Sequence, residues 1–373
     1  MKSMEIGDTL ERFPLTPLDF LTLSETCSYF YRIATDLFAR RFTLFIRSDT
    51  DARCVWKTGR WHTLQSLGFI EYPLAIPCLL PALTDLYVER ACLIDDQIQA
   101  QWEDIFAKCP SLQKLRFHFR THSATHETLI CNLRSLLNLG VPRLHHLILD
   151  FCGPLYYFTS ETDVEKALCT TQYTSDELVV FHNKTQWPLH IDAPLTEVLV
   201  RDKGLAALGP KAHPTLTSLT WYDVDTCYLQ DLSPFRYLHS ISLTFGTRLF
   251  HEEVSDVLSA IGQYLTPTIK TLHLELPLSI FGREGHVWVN AFQSFAHVEE
   301  FHLVISHATG WIQDIFESKF FGLPSTNLRY VTLKLRRGQS IIDRTIYTEC
   351  MQSFPGCRCD MTHISVAGDM SIH

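Results

Sequence analysis

The chain has 373 residues, a net charge of −9 and a pI near 6.0, and this acidic balance argues against general nucleic-acid binding. No apolar run reaches the roughly 18 residues needed to span a bilayer, and the first residues lack the apolar core of a secretory signal. We therefore expect an intracellular protein, cytoplasmic or nuclear, whose 12 cysteines are reduced and largely buried.

The chain opens with a segment of helical character. Apolar side chains follow helical spacing through residues 17–38, with one break near residues 26–28. Pro17 suits a first helical turn, and the early acid Asp19 suits the helix dipole. We predict two or three short helices here, followed by a first strand within residues 41–49.

A short motif then recurs along most of the chain. In residues 111–119 (SLQKLRFHF) it reads L-x-x-L-x-L, and its alternating apolar positions predict a short half-buried strand. Nine copies begin at Leu83, Leu112, Leu144, Leu195, Leu216, Leu238, Ile269, Val298 and Leu328. A weaker copy, LQSLGF, begins at Leu64.

The spacing of the copies indicates what lies between the strands. Successive copies are separated by 29, 32, 51, 21, 22, 31, 29 and 30 residues. Steps near 30 have room for a strand, a turn and a helix, whereas the steps of 21 and 22 predict helices shortened to turns. Amphipathic patterns predict helices within residues 95–109, 126–140, 251–267, 310–324 and 340–354.

Residues 151–193 are the irregular part of the pattern. The stretch ELVVF within them can be a strand, with a short helix before it, which would hide one degenerate repeat inside the 51-residue step. A surface loop is the alternative. Near the end of the chain, residues 357–368 are predicted to supply a last strand that caps the array.

These features resemble two known families in tandem. Residues 19–34 match the second half of an F-box, and the repeats after them resemble leucine-rich repeats; the F-box front half, here IGDTLERFPL, is incomplete. The matching F-box positions are Asp19, Phe20, Leu21, Leu23, Ser24, Cys27, Phe30, Arg32, Ile33 and Ala34. The resemblance implies an α/β fold: an F-box-like helical segment over residues 1–41, and over residues 42–373 an irregular leucine-rich-repeat solenoid with parallel strands on its concave face and helices outside.

F-box/leucine-rich-repeat proteins are non-catalytic substrate receptors of cullin–RING (SCF-type) ubiquitin ligases and bind the Skp1 adaptor. The resemblance implies adaptor binding through Pro17, Leu18, Phe20, Leu21, Leu23, Cys27 and Phe30. The repeats would then hold a protein substrate. The alternative is a leucine-rich-repeat interaction scaffold with no ubiquitin-ligase role, in which the helical segment only caps the repeats.

The strand residues that alternate with the buried ones are expected to form the partner-binding face. Their charges are mixed, which suits a folded protein partner better than a polyanion. Aromatic, arginine and histidine positions are the first candidates, because aromatic and arginine residues dominate binding hot spots. They are Tyr87, Arg116, His118, His146, Arg201, Tyr222, His273, His302 and Tyr330.

No motif predicts an enzyme, a cofactor or a metal. There is no phosphate-binding glycine loop and no nucleophile–base pair that the sequence supports. The histidines at 118, 122 and 126 would align only on a helix, whereas His118 lies in a predicted strand. The spacing of Cys350, Cys357 and Cys359 is not a usual zinc pattern, even with His363 nearby.

Overall fold

A computed structural model of the chain describes the following residues: 43–46, 48, 61–70, 76–89, 96–120, 144–152, 172–184, 189–224, 226–245, 261, 263–264, 268–277, 297–306, 329–336 and 358–364. The chain is α/β with mostly parallel strands, and it divides into two compact units, Met1–Ala193 and Pro194–His373. Within the described residues, no helix combines the length and the apolar character that a membrane crossing requires.

The first unit contains a parallel sheet of six strands in the order β1-β2-β3-β4-β5-β7 and a separate parallel pair, β6-β8. One α-helix, α1 (Asp96–Lys108), and a 3₁₀ turn (Trp61–Thr63) are described in it. The strands are β1 Leu44–Ile46, β2 Ser66–Ile70, β3 Asp85–Glu89, β4 Lys114–Arg120, β5 His146–Cys152, β6 Gln172–Thr174, β7 Val180–Asn183 and β8 His190–Asp192.

The second unit contains seven parallel strands, each next to its sequence neighbour. They are β9 Glu197–Arg201, β10 Ser218–Val224, β11 Ser240–Phe245, β12 Thr271–Pro277, β13 Glu300–Ser306, β14 Tyr330–Arg336 and β15 Arg358–Ile364. The connections of β10 to β9 and β11 contain 3₁₀ segments at Asp202–Ala207, Pro210–Ala212 and Thr226–Leu232. The prediction that the short steps replace a helix by a turn is therefore confirmed.

All nine predicted repeats contain a strand, and so does the weaker copy at Leu64. The cause is the alternation of apolar and polar residues, because successive side chains of a strand point to opposite faces. In the first unit the rows of buried partners are Leu67–Leu86–Leu115–Leu147–Phe181 and Phe69–Val88–Phe117–Leu149–Asn183. In the second unit they include Val198–Leu219–Ile241–Leu272–Phe301 and Val200–Trp221–Leu243–Leu274–Leu303.

One hydrogen-bond arrangement recurs where the strands begin. The backbone N–H groups of Gln113 and Lys114 both donate to the carbonyl oxygen of Thr84, each at 2.8 Å. In the second unit, Glu299 and Glu300 donate in the same way to the carbonyl of Lys270, at 2.8 and 2.9 Å. Among the described residues the acceptors of such paired bonds are Gln65, Thr84, Gln113, His145, Thr196, Thr217, His239, Lys270 and Glu299. Each strand is thereby set in register with its neighbour within the unit.

Helix α1 packs on the first sheet through its predicted apolar side. The ring of Trp102, 2% exposed, meets the ring of Phe117 edge-on at a centroid distance of 5.5 Å. At the C-terminal end, the carbonyl of Lys108 accepts the N–H of Leu80 at 2.9 Å, and the Lys108 ammonium donates to the carbonyl of Ile76. The helix end is therefore tied to the segment before β3.

The irregular stretch does contain a degenerate repeat. Leu178 is buried just before β7 and Phe181 is buried within it. The N–H groups of Val179 and Val180 make the same paired hydrogen bonds, to the carbonyl of His145. Asn183, 2% exposed, takes the last apolar position of the motif. A strand is confirmed in this stretch, but it lies at Val180–Asn183 and not over residues 177–181, and the surface-loop alternative is wrong where the strand lies.

Several predictions fall outside the described residues. These are the helical segment of residues 1–41 and the predicted helices over residues 126–140, 310–324 and 340–354. Of the predicted helix over residues 251–267, Ile261 is described and is fully buried.

The buried rows predict how much stability the second unit loses when a core side chain is truncated. Leu243 is fully buried and lies in register between Trp221 and Leu274. We expect Leu243→Ala to lower the free energy of unfolding by about 2–5 kcal/mol, because apolar burial is lost and a cavity remains. The urea midpoint followed by circular dichroism measures this change.

Ser242→Ala, one residue earlier on the half-exposed face, is the matched control, with an expected change within about 0.5 kcal/mol. Equal effects of the two substitutions would contradict the assignment of the faces.

Candidate functional site

The nine residues predicted for partner binding are all half-exposed. Four of them belong to the first unit and five to the second. The first group is Tyr87, Arg116, His118 and His146, and the second is Arg201, Tyr222, His273, His302 and Tyr330. Each group alternates along its strands with the buried rows, so each lies on the polar face of its own sheet.

We call the polar face of the first unit the first face. It consists of the half-exposed side chains of Asp85, Tyr87, Glu89, Lys114, Arg116, His118, His146, Ile148, Asp150, Val180 and His182, together with the exposed Lys184. Parallel register sets Tyr87 opposite Arg116, and His118 opposite Asp150.

Arg116 lies at the centre of the first face. Its guanidinium carbon is 5.2 Å from the centroid of the Tyr87 ring, within the range of a cation–π contact. Its Nη2 is 3.6 Å from Oδ2 of Asp150. The arginine is therefore held between an aromatic ring on β3 and a carboxylate on β5.

Asp150 interacts with a second cation. Nζ of Lys184 is 3.8 Å from the same Oδ2, and the carboxylate is the most shielded member of the trio, at 18% side-chain exposure against 30% for Arg116 and 44% for Lys184. One carboxylate thus holds two cations that remain accessible. The local charge of this trio is positive.

Tyr87 is itself positioned by its neighbours. Its ring meets the edge of the Phe45 ring at a centroid distance of 5.4 Å, and its hydroxyl oxygen is 3.3 Å from Nδ1 of His118. Phe45 reaches Tyr87 from two strands away because Gly68, on the strand between them, has no side chain. A Cβ at Gly68 would lie 2.6 Å from Cδ1 of Phe45.

The second unit presents a different arrangement on its polar face. The imidazoles of His273 and His302 are stacked at a centroid distance of 5.9 Å, and His302 is 5.5 Å from the Tyr330 ring. The Glu300 carboxylate is 3.9 Å from Nε2 of His302 and accepts a hydrogen bond from the Thr271 hydroxyl at 3.4 Å. Three rings from β12, β13 and β14 therefore form an aromatic strip, in which His273 is in register with His302 and Tyr330 is in register with Glu300.

Arg201 and Tyr222 lie at another part of this face, next to a bulge. The register of β10 shifts between Tyr222 and Val224, and the intervening Asp223 has a positive φ of 52°. The Arg201 guanidinium pairs with the Asp223 carboxylate. Arg201 is therefore engaged within its own unit.

Within the described strands, the expectation that alternate residues face solvent is wrong at Val304 and Thr332. Val304 and Thr332 occupy the polar-face rows but are only 2% and 3% exposed. Both side chains are short and lie in register beside longer residues, Glu275 for Val304 and His302 for Thr332. Strand alternation assigns a residue to a face but does not decide whether its neighbours cover it.

Contacts that sequence reasoning missed come mainly from Lys184 and Phe45. Lys184 directly follows the degenerate repeat. If Leu178 had been taken as the start of a repeat, Lys184 would have been expected near the predicted partner-binding residues of the neighbouring strand. Phe45 lies in a strand too short to show the motif, and no signal in the sequence pointed to it.

No cluster of three or more metal-ligating side chains occurs among the residues that the structure describes. His118 lies in strand β4, as predicted, and the histidines at 122 and 126 lie outside the described residues. The predicted adaptor-binding residues lie outside the described part of the chain; they are Pro17, Leu18, Phe20, Leu21, Leu23, Cys27 and Phe30.

Two cysteines of the first unit, Cys78 and Cys109, are present as free thiols. Burial raises the pKa of the Cys109 thiol to about 12, against a smaller opposing effect of the Lys108 charge. Burial also raises the pKa of Cys78, which is only half-buried. The Cys109 side chain therefore acts as an apolar core group at neutral pH.

Comparison with protein-family models finds no match to the chain, and comparison with curated proteins finds none either.

The packing of Phe45 over Gly68 yields a testable coupling. We expect Gly68→Ala to lower the free energy of unfolding by about 1 kcal/mol, because the new methyl group displaces the Phe45 ring. In a Phe45→Ala background the same change should be nearly neutral. A double-mutant cycle by urea denaturation measures the difference. The interpretation fails if Gly68→Ala has the same effect in both backgrounds.

The raised pKa of Cys109 predicts low reactivity. Since the thiolate is the nucleophile, we expect iodoacetamide at pH 8 to alkylate Cys109 in the folded chain at least tenfold more slowly than in urea. Cys78 should react faster than Cys109 in the folded chain. The rate at Cys109 should rise as the pH approaches 12. Peptide mass spectrometry resolves the two sites, and equal rates at both in the folded chain would refute the prediction.

Proposed function

We propose that this chain is a non-catalytic substrate-recognition subunit of a cullin–RING ubiquitin ligase. Its main support is the geometry of the two polar faces. In each unit, parallel strands in register bring aromatic and charged side chains from distant parts of the sequence into adjacent rows. Half-exposed tyrosine, arginine and histidine groups held by neighbours are typical of surfaces that bind proteins.

We further propose that the repeats form a leucine-rich-repeat solenoid. The support is the repetition itself: a buried aliphatic residue, the paired hydrogen bonds to one carbonyl, and then a short parallel strand with alternating burial. Stacked units of this kind bury a continuous core and leave one face of the strands for a partner.

In this proposal, residues 17–30 bind the Skp1 adaptor. The support is the order of apolar residues in the segment, which resembles the second half of an F-box, and its position directly before the repeats. The repeats then hold the substrate protein.

The second candidate function is a leucine-rich-repeat scaffold without a ligase role. It is favoured by the incomplete front half of the F-box pattern, residues 6–15. The two candidates share the partner-binding faces and differ only in adaptor binding, so a binding assay with Skp1 separates them.

Co-purification of the full chain with Skp1 is the test. We expect the unchanged chain to retain Skp1, and the double variant Leu21→Asp plus Leu23→Asp to lose at least 90% of it, because two apolar contact positions become charged. Thr22→Asp, between them at a position outside the apolar pattern, is the matched control and should retain Skp1.

Circular dichroism must show the same spectrum for all three proteins, so that a loss of binding reports on the segment and not on unfolding. Absence of Skp1 binding by the unchanged chain would reject the ligase role in favour of the scaffold.

A further inference from the structure

The first face carries an excess of positive charge on one side. One side of the face consists of the described side chains of β4, β5 and β7 and of Lys184, which follows β7. Three of these side chains are permanently cationic (Lys114, Arg116 and Lys184), and Asp150 is the one carboxylate among them. The acids Asp85 and Glu89 lie on β3, at the other side. The face is therefore polarised, with Tyr87 and Arg116 where the two sides meet.

We propose that this face binds an acidic segment of a partner protein, with Arg116 and Lys184 binding its carboxylates and Tyr87 packing against it. This inference rests on the proposed function, since it names the chemistry of the partner that the repeats hold.

The Arg116 side chain is preorganised to bind a carboxylate. The Tyr87 ring and Asp150 hold the guanidinium between them at 5.2 and 3.6 Å, so less side-chain freedom is lost on binding. A guanidinium has five N–H donors in a planar fork that fits carboxylates in a bidentate manner. Its 30% side-chain exposure leaves part of that fork accessible.

Lys184 adds a second cation on the same side of the face. Both cations reach the same oxygen of Asp150, at 3.6 and 3.8 Å, which places them close together. Among the described side chains of β4, β5 and β7, Asp150 is the one carboxylate beside these two cations, so the local charge favours an incoming anion. Two carboxylates of one acidic segment match this pair better than an isolated acid does.

The charge pattern favours a peptide over a nucleic acid. A nucleic acid needs a long basic track, whereas this face turns acidic at Asp85 and Glu89 on the neighbouring strand β3. A short acidic segment with an aromatic or aliphatic residue also uses Tyr87 and Ile148, which lie beside Arg116 in its row.

The polar face of the second unit provides a contrast. Among the described side chains of β12 and β13 that alternate with the buried row, Glu275 and Glu300 are acidic and none is Lys or Arg. An acidic probe is therefore expected to select the first face, and a variant in the second unit is a suitable control.

Fluorescence anisotropy with the full chain tests the proposal. The probe is a fluorescein-labelled twelve-residue peptide made of three repeats of glutamate, glutamate, tyrosine and glycine, and the control peptide carries glutamine for each glutamate. We expect the glutamate peptide to bind at least tenfold more tightly than the glutamine peptide, and its binding to weaken as salt is raised.

Arg116→Gln and Lys184→Gln should each weaken binding of the glutamate peptide by about threefold to tenfold. Arg116→Lys should restore only part of the loss, because lysine keeps the charge but lacks the planar fork. Lys270→Gln is the matched control and should change nothing; this lysine is exposed in the second unit and pairs with Glu299 at 2.9 Å.

Lys184 is exposed and outside any strand, so its variant keeps the test valid even if Arg116→Gln unfolds the first unit. The proposal is overturned if the two peptides bind equally, or if Lys184→Gln leaves binding unchanged. Tighter binding of a twelve-nucleotide single-stranded RNA, lost in the same variants, would also overturn it.

Skp1 co-purification, measured on the same preparations, keeps this proposal separable from the previous one. Failure of the peptide to bind a chain that retains Skp1 rejects only the acidic-segment proposal. Peptide binding by a chain that does not retain Skp1 rejects only the ligase role.

Discussion

The register between parallel strands is the constraint on which the other features of each unit depend. Before nine of the described strands, one carbonyl accepts two consecutive N–H groups at the start of the next repeat, at Thr84 and Lys270 alike. A shift by one residue would move every aliphatic side chain of a strand to the polar face. The buried rows and the hydrogen bonds therefore enforce the same alignment, and the polar faces follow from it.

That alignment converts residues far apart in the chain into neighbours. Tyr87, Arg116 and Asp150 are about 30 residues apart in sequence, yet adjacent strands bring them together at distances of 5.2 and 3.6 Å. In the second unit the same rule stacks His273 on His302. The two faces differ because the residues between the aliphatic positions are not constrained by the core, and those positions are where partner specificity can be encoded.

The fold could be predicted largely from the sequence, and the detailed site could not. Alternation identified the strands that begin near Leu83 and Leu112, and short spacing identified the turns after Leu195 and Leu216. The degenerate repeat at Leu178 was left open because Asn183 breaks the apolar pattern. The polar side of the strands was predicted well, apart from Val304 and Thr332, since it is the complement of the buried side.

The sequence by itself determined most of the strands and the apolar row that each of them buries, because alternation is a local property that each segment carries alone. Only the tertiary structure decided which polar side chains meet. The contact of Phe45 with Tyr87 across Gly68, the sharing of Asp150 by two cations, the bulge at Asp223 and the burial of Val304 all depend on neighbouring strands. The physical reason is that lateral contacts within a sheet are set by register and by the size of adjacent side chains, which no single segment contains.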